Sequence, residues 1–136
     1  VHVPVPFFYS TKLRNHMAAH NDLGKLGEKL AAEFLTKNGY SILEQNWRNR
    51  FEEIDIIATI DQFLVIVEVK TRSNLHFGNP EDAVSLKKQR LLVNAAEVYI
   101  NQKNSNLETR FDIISIVAHD ENHAISHIMW AFSPFD

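Results

Sequence analysis

The chain has 136 residues, 45% of them hydrophobic, with four glycines, four prolines and no cysteine, which fits one globular domain with a substantial core. The lack of cysteine excludes disulfides, thiolate metal sites and cysteine nucleophiles, and it is compatible with a reducing compartment. A formal net charge of −3 excludes a broadly basic nucleic-acid-binding surface, so any such binding needs a local patch.

No apolar run approaches the roughly 18 residues of a membrane span, and no lysine-led apolar segment resembles a secretory signal. The expectation is a soluble, cytoplasmic protein with no membrane partner. The seven histidines are scattered. His119, His123 and His127 recur every fourth residue, but in a stretch that reads as turn and strand, which argues against a histidine metal site.

Residues 1–16 contain two prolines and several aromatics without a clear period. Met17 then precedes a capped helix and reads as a natural start. Residues 1–16 are therefore expected to be an N-terminal extension, and residues 17–136 a single domain. Asp22 suits the N-cap of a helix to about Asn38, with Leu23, Leu26, Leu30 and Phe34 in one stripe and Gly39 at its stop. Glu28 lies beside that stripe, next to Ala31, Ala32 and Leu35, small or apolar neighbours past which a carboxylate can reach.

Strands are expected from Tyr40 to about Trp47, from Phe51 to Thr59 and from Phe63 to Thr71. Asp61-Gln62 reads as the centre of a tight hairpin between the last two. That register pairs Ile54, Ile56 and Ala58 with Val69, Val67 and Val65 on one apolar face. On the other face it sets Asp55 opposite Glu68 and Glu53 opposite Lys70. Cross-strand partners lie roughly 4.5–5.5 Å apart at Cβ, where like charges repel, so a cation is expected between Asp55 and Glu68. Mg²⁺ suits one or two carboxylates plus waters and phosphate oxygens. Lys70 shares the face of Glu68. The plainer reading of Glu53 and Lys70 is an ion pair.

Residues 72–79 carry turn chemistry, and Pro80, Glu81 and Asp82 suit the first turn of a short helix. Ser85 can cap a longer helix over 86–103, with Leu86, Leu91, Val93, Ala95, Val98 and Tyr99 facing a core. Arg110 to Val117 reads as a last strand. The order α-β-β-β-α-β, with one crossover returning a strand, predicts an α/β fold built on a mixed central sheet flanked by helices. Lys87, Lys88 and Arg90 stand in the early turns of the second helix, where the macrodipole disfavours cations by several tenths of a kcal/mol each. Phosphate binding would account for them; a solvated face would also do so.

Five motifs together carry a family resemblance: Gly24-x-x-Gly27-Glu28, Asn46-x-Arg48 before Glu53-Ile54-Asp55, Val67-Glu68-Val69-Lys70-Thr71-Arg72, Phe77-Gly78-x-Pro80 and Arg110-Phe111-Asp112. Over about residues 22–117 the chain resembles the YraN-like family. That family is similar to the PD-(D/E)XK nuclease superfamily, with its restriction-endonuclease-like core and its Holliday-junction resolvases. The resemblance implies Asp55, Glu68 and Lys70 as catalytic residues, and Glu28, Asp55 and Glu68 around a Mg²⁺ or Mn²⁺ ion. It departs from the family at Glu52, where a glycine is common.

The expected function is that of a metal-dependent DNA endonuclease, a phosphodiester hydrolase, with branched or structured DNA as substrate. Arg72, Lys87, Lys88 and Arg90 would hold flanking phosphates. Resolvase-like relatives act as symmetric dimers, so a homodimer is among the expected assemblies. Two alternatives remain: a non-catalytic nucleic-acid-binding module, and a partner-binding subunit of a DNA-processing assembly.

Overall fold

The computed structural model describes residues 2–5, 20–73, 84–119 and 122–134. Its elements are β1 (His2–Val5), α1 (His20–Lys37), β2 (Ser41–Arg48), β3 (Glu53–Ile60), β4 (Phe63–Arg72), α2 (Leu86–Lys103), β5 (Glu108–His119) and β6 (Asn122–Phe132). Six strands form one sheet in the order β1-β6-β5-β4-β3-β2. Only β4 and β5 run parallel, joined by the crossover through α2, and the other neighbours are antiparallel. Among the described residues, no helix is long and apolar enough to cross a membrane.

Each helix covers one face. Leu30, Phe34 and Leu35 of α1 pack on Ile56, Ala58, Val65, Val67, Ile114 and Ile116. Leu92, Ala95, Ala96 and Tyr99 of α2 pack on Ile57, Leu64, Ile66, Phe111 and Ile113. The central strands are therefore apolar on both faces, as strands beside a parallel pair must be when helices cover both sides.

The helix ends follow local chemistry. Gly39 has a φ of 90° and Tyr40 N donates to Leu35 O at 3.0 Å, so the glycine closes α1 in a left-handed turn as expected. Ser85 Oγ accepts from Lys88 N at 3.2 Å and caps α2. The core stripe of α2 differs from expectation. Leu92, Ala95, Ala96 and Tyr99 are the buried residues, spaced as one helical face, while Leu86 is 60% exposed. The expected short helix at 80–82 and the Phe77-Gly78 motif lie outside the described residues.

The β3–β4 register is the one read from the hairpin: Ile60 pairs with Phe63, Ala58 with Val65 and Ile56 with Val67. Strict alternation fails beyond that point. Ile54 belongs to the cluster beneath α2 and Ile56 to the cluster beneath α1, so the expected apolar face ends at Ile56 on β3, while on β4 it continues through Val65 and Val67 to Val69. The cause is local, because the two strands part at Asp55.

Two strands extend the expected core. β6 returns antiparallel to β5, and residues 2–5, excluded from the fold by sequence reasoning, pair with β6 as an edge strand. A buried polar cluster joins β5 to β6. Arg110 donates to Asp112 through Nε at 2.9 Å and Nη2 at 2.7 Å, His127 Nε2 lies 2.8 Å from Asp112 Oδ2, and Trp130 N donates to Asp112 Oδ1 at 3.1 Å. Burial raises the proton affinity of Asp112, but the hydrogen bonds from His127 and Arg110 outweigh it and hold the carboxyl below its usual range. A fully buried carboxylate persists here because it is multiply hydrogen-bonded.

Candidate active site

The β3–β4 ladder ends at Ile56 and Val67. One step further, Asp55 Oδ2 accepts from Val69 N at 2.8 Å, so a side chain takes the hydrogen bond that a strand partner would otherwise receive. Across the sheet, Asn46 of β2 adopts a left-handed φ of 52°, a conformation that asparagine tolerates better than most residues. Both neighbours of β3 are thus irregular at the level of Asp55, and the opening forms a pocket. It is lined by Gly24 and Glu28 of α1, Asp55 of β3, and Glu68, Lys70 and Thr71 of β4.

Gly27 sets how closely α1 approaches. A Cβ at this position would lie 1.8 Å from Thr71 Oγ1 and 2.9 Å from Thr71 Cβ, so only glycine allows this contact between α1 and β4. The approach delivers Glu28 into the pocket. Burial, then the charge of Asp55, raises the proton affinity of Glu28, while a hydrogen bond from Asn46 opposes them.

Asp55 and Glu68 face each other within hydrogen-bonding range. Glu68 is only 3% exposed. Burial, followed by the charge of Glu68, pushes the Asp55 carboxyl up to about 8, against the bond from Val69 that favours its ionised form. Two lysines meet the same Glu68 oxygen: Lys88 Nζ stands 3.4 Å from Oε2 and Lys70 Nζ stands 4.0 Å from it. Lys88 Nζ is also 3.3 Å from Glu52 Oε2.

Glu52 replaces the expected glycine without disrupting the turn. Asn49 Oδ1 accepts from Phe51 N at 2.8 Å, and Glu52 Oε1 accepts from Glu53 N at 2.9 Å. Burial raises the proton affinity of Glu52, but the Glu53 amide and Lys88 lower it more, leaving the carboxyl below its usual range. Glu53 pairs with Arg48 of β2 at 3.0 Å. The ion pair that the hairpin register proposed between Glu53 and Lys70 thus gives way to one with Arg48, and Lys70 leans toward Glu68.

The structure therefore brings Glu28, Asp55, Glu68 and Lys70 to one pocket. Lys88 turns inward to Glu52 and Glu68, whereas Lys87 and Arg90 remain exposed on α2, and Arg72 sits half-buried at the end of β4. Sequence reasoning gave Asn46 and Glu52 no part in the site. The signals available were an asparagine in a strand and a second glutamate directly before Glu53, and neither reveals its partner without the fold.

The donor set can be tested against a divalent cation. Among the described residues, no group of three acidic or histidine side chains is gathered as a ready metal cage, although Glu28 lines the same pocket as Asp55 and Glu68. Asp55 and Glu68 alone fit Mg²⁺, which keeps several waters and takes one or two protein carboxylates. The raised proton affinity of Asp55 marks the positive charge that the pair lacks.

The element order is compatible with a restriction-endonuclease-like α-β-β-β-α-β core. The chain belongs to the uncharacterised protein family UPF0102, whose model matches residues 27–116. It is 50% identical over 123 residues to a UPF0102 protein of Flavobacterium johnsoniae, covering 88% of this chain and 100% of the relative. It is 52% identical over 119 residues to a UPF0102 protein of Flavobacterium psychrophilum, with the same coverage of both chains. A UPF0102 protein of Bacteroides thetaiotaomicron is 47% identical over 118 residues, covering 87% of this chain and 98% of that one.

Proposed function

We propose that this protein is a divalent-metal-dependent endonuclease that hydrolyses phosphodiester bonds in DNA, with branched or structured DNA as the substrate class. The observation that carries the reading is the half-buried Asp55 beside the buried Glu68 in the pocket where β3 and β4 part, with Lys70 next to them. A fold maintained for packing alone gains nothing from two facing carboxylates, one of which must keep a proton.

Asp55 and Glu68 would hold Mg²⁺ or Mn²⁺, and Asp55 gives up its proton when the cation arrives. Bound there, the cation supplies Lewis acidity to the scissile phosphate and lowers the pKa of a water. Lys70, whose side chain is 37% exposed, reaches the pocket, orients the attacking water and stabilises negative charge developing on the phosphate. Glu28, hydrogen-bonded to Asn46 at the pocket wall, would accept a proton from the attacking water. Arg72, Lys87 and Arg90 would hold flanking phosphates.

The experiment is cleavage of linear, flapped and four-way DNA with Mn²⁺, using wild type, Asp55→Asn and Lys70→Ala. Cleavage by wild type alone is expected. Lys70→Ala should change stability by less than about 1 kcal/mol, because Lys70 is itself part-exposed and 4.0 Å from Glu68, whose nearer partner Lys88 stays in place. No cleavage of any substrate, together with no Mn²⁺ binding by calorimetry, would remove the nuclease reading.

A further inference from the structure

Lys88 reaches the carboxylate pair from α2, on the side of the sheet opposite to α1 and Glu28. Among the described residues it does not line the pocket that holds Glu28, Asp55, Glu68 and Lys70, and its ion pair into that pocket is with Glu68. Its ammonium is engaged by two carboxylates, at 3.4 Å from Glu68 and 3.3 Å from Glu52, both closer than the 4.0 Å between Lys70 and Glu68. This placement takes Lys88 out of the patch of α2 cations free to meet a nucleic-acid backbone.

The other end of the bridge is anchored. Glu52 uses Oε2 for Lys88 and Oε1 for the amide of Glu53 at 2.9 Å, so neither oxygen is idle. Asn49 Nδ2 donates to Glu52 O at 3.1 Å and fixes the turn that carries the residue. A carboxylate as buried as Glu68 requires a partner, and Lys88 is the cation nearest to it.

We infer that Lys88 is a positioning residue: the Glu52–Lys88–Glu68 bridge holds the Glu68 carboxylate in the orientation that meets Asp55, and so prepares the pair for a divalent cation. The inference rests on the metal reading above and adds to it the group that acts through Glu68. Its consequence has a sign that separates orientation from charge. By charge alone, deleting an ammonium beside a ligand carboxylate strengthens cation binding. By orientation, deleting a partner of a ligand weakens it, typically by about 10- to 100-fold.

The test is calorimetric titration of Mn²⁺ into wild type, Lys88→Met, Lys88→Arg and Glu52→Asp, with circular dichroism verifying that each variant is folded. Lys88→Met should weaken binding by about tenfold or more, and Lys88→Arg should recover most of that loss. Glu52→Asp keeps the charge and shortens the reach, so it too should weaken binding, and it tests the bridge from the exposed turn if Lys88→Met does not fold. Binding to Lys88→Met as tight as wild type or tighter, or an unchanged Glu52→Asp, would overturn the inference while leaving the metal site standing. Failure of wild type itself to bind Mn²⁺ would overturn both.

Discussion

Asp55 concentrates the opposing demands of the site in one side chain. It is half-buried, lies beside Glu68 and accepts the Val69 amide, and its carboxyl is pushed up to about 8 from an ordinary value of 3.8. The sign of the resulting pH dependence follows directly. Below the ordinary value Asp55 is protonated whether the chain is folded or not. Between about pH 4 and pH 8 the unfolded carboxyl ionises while the folded one keeps its proton, so this group's contribution to stability falls as pH rises through that window. One proton limits the slope to about 1.4 kcal/mol per pH unit. In chelator, the stability of wild type relative to Asp55→Asn should fall between pH 4 and pH 8, as measured by urea unfolding. A pH-independent difference would show that Asp55 ionises normally in the fold.

At the level of elements, the site depends on how near α1 lies to β4. Gly27 faces Thr71, whose Oγ1 would be 1.8 Å and whose Cβ 2.9 Å from an added methyl group. Rotating the threonine relieves the first clash and leaves the second, so the helix must lift. Gly27→Ala should therefore cost about 1–3 kcal/mol in equilibrium unfolding, the usual range for overpacking. Because Glu28 follows Gly27, the same substitution should move that carboxylate away from Asp55. An alanine variant as stable as wild type would show that α1 has freedom to shift along the sheet. Gly24, with nothing within 4 Å of its added Cβ, serves as the matched control.

For the whole molecule, a net charge of −3 means that binding to a polyanion must come from a local surface. With Lys88 committed to Glu52 and Glu68, the exposed cations in the early turns of α2 are Lys87 and Arg90. Neutralising both should weaken DNA binding about equally across sequences. It should also reduce the slope of log affinity against log salt by roughly 0.9 for each phosphate that the variant no longer neutralises. Fluorescence anisotropy across a salt series measures both quantities. An unchanged slope would place the nucleic-acid surface elsewhere and favour a subunit that binds a protein partner.

Much of the architecture follows from patterns local to the chain. The stop at Gly39, the cap at Ser85, the tight turn at Asp61-Gln62 and the Ile56–Val67 register each depend on a few neighbouring residues whose conformational preferences agree. The hairpin register brings Asp55 and Glu68 near each other only as far as Ile56 and Val67; beyond them the strands part, and the pocket both residues line belongs to the tertiary structure. What the sequence could not determine were contacts between distant elements. The inward turn of Lys88 depends on where α2 lands beside the β2–β3 turn, and the pairing of Glu53 with Arg48 depends on β2 as its neighbour. The burial of Asp112 among Arg110, His127 and Trp130 required β6 to return beside β5, which the strand pattern alone did not specify. Turns and caps are decided by short-range sterics and hydrogen bonds. The partner of a charge is decided by the fold that brings it into reach.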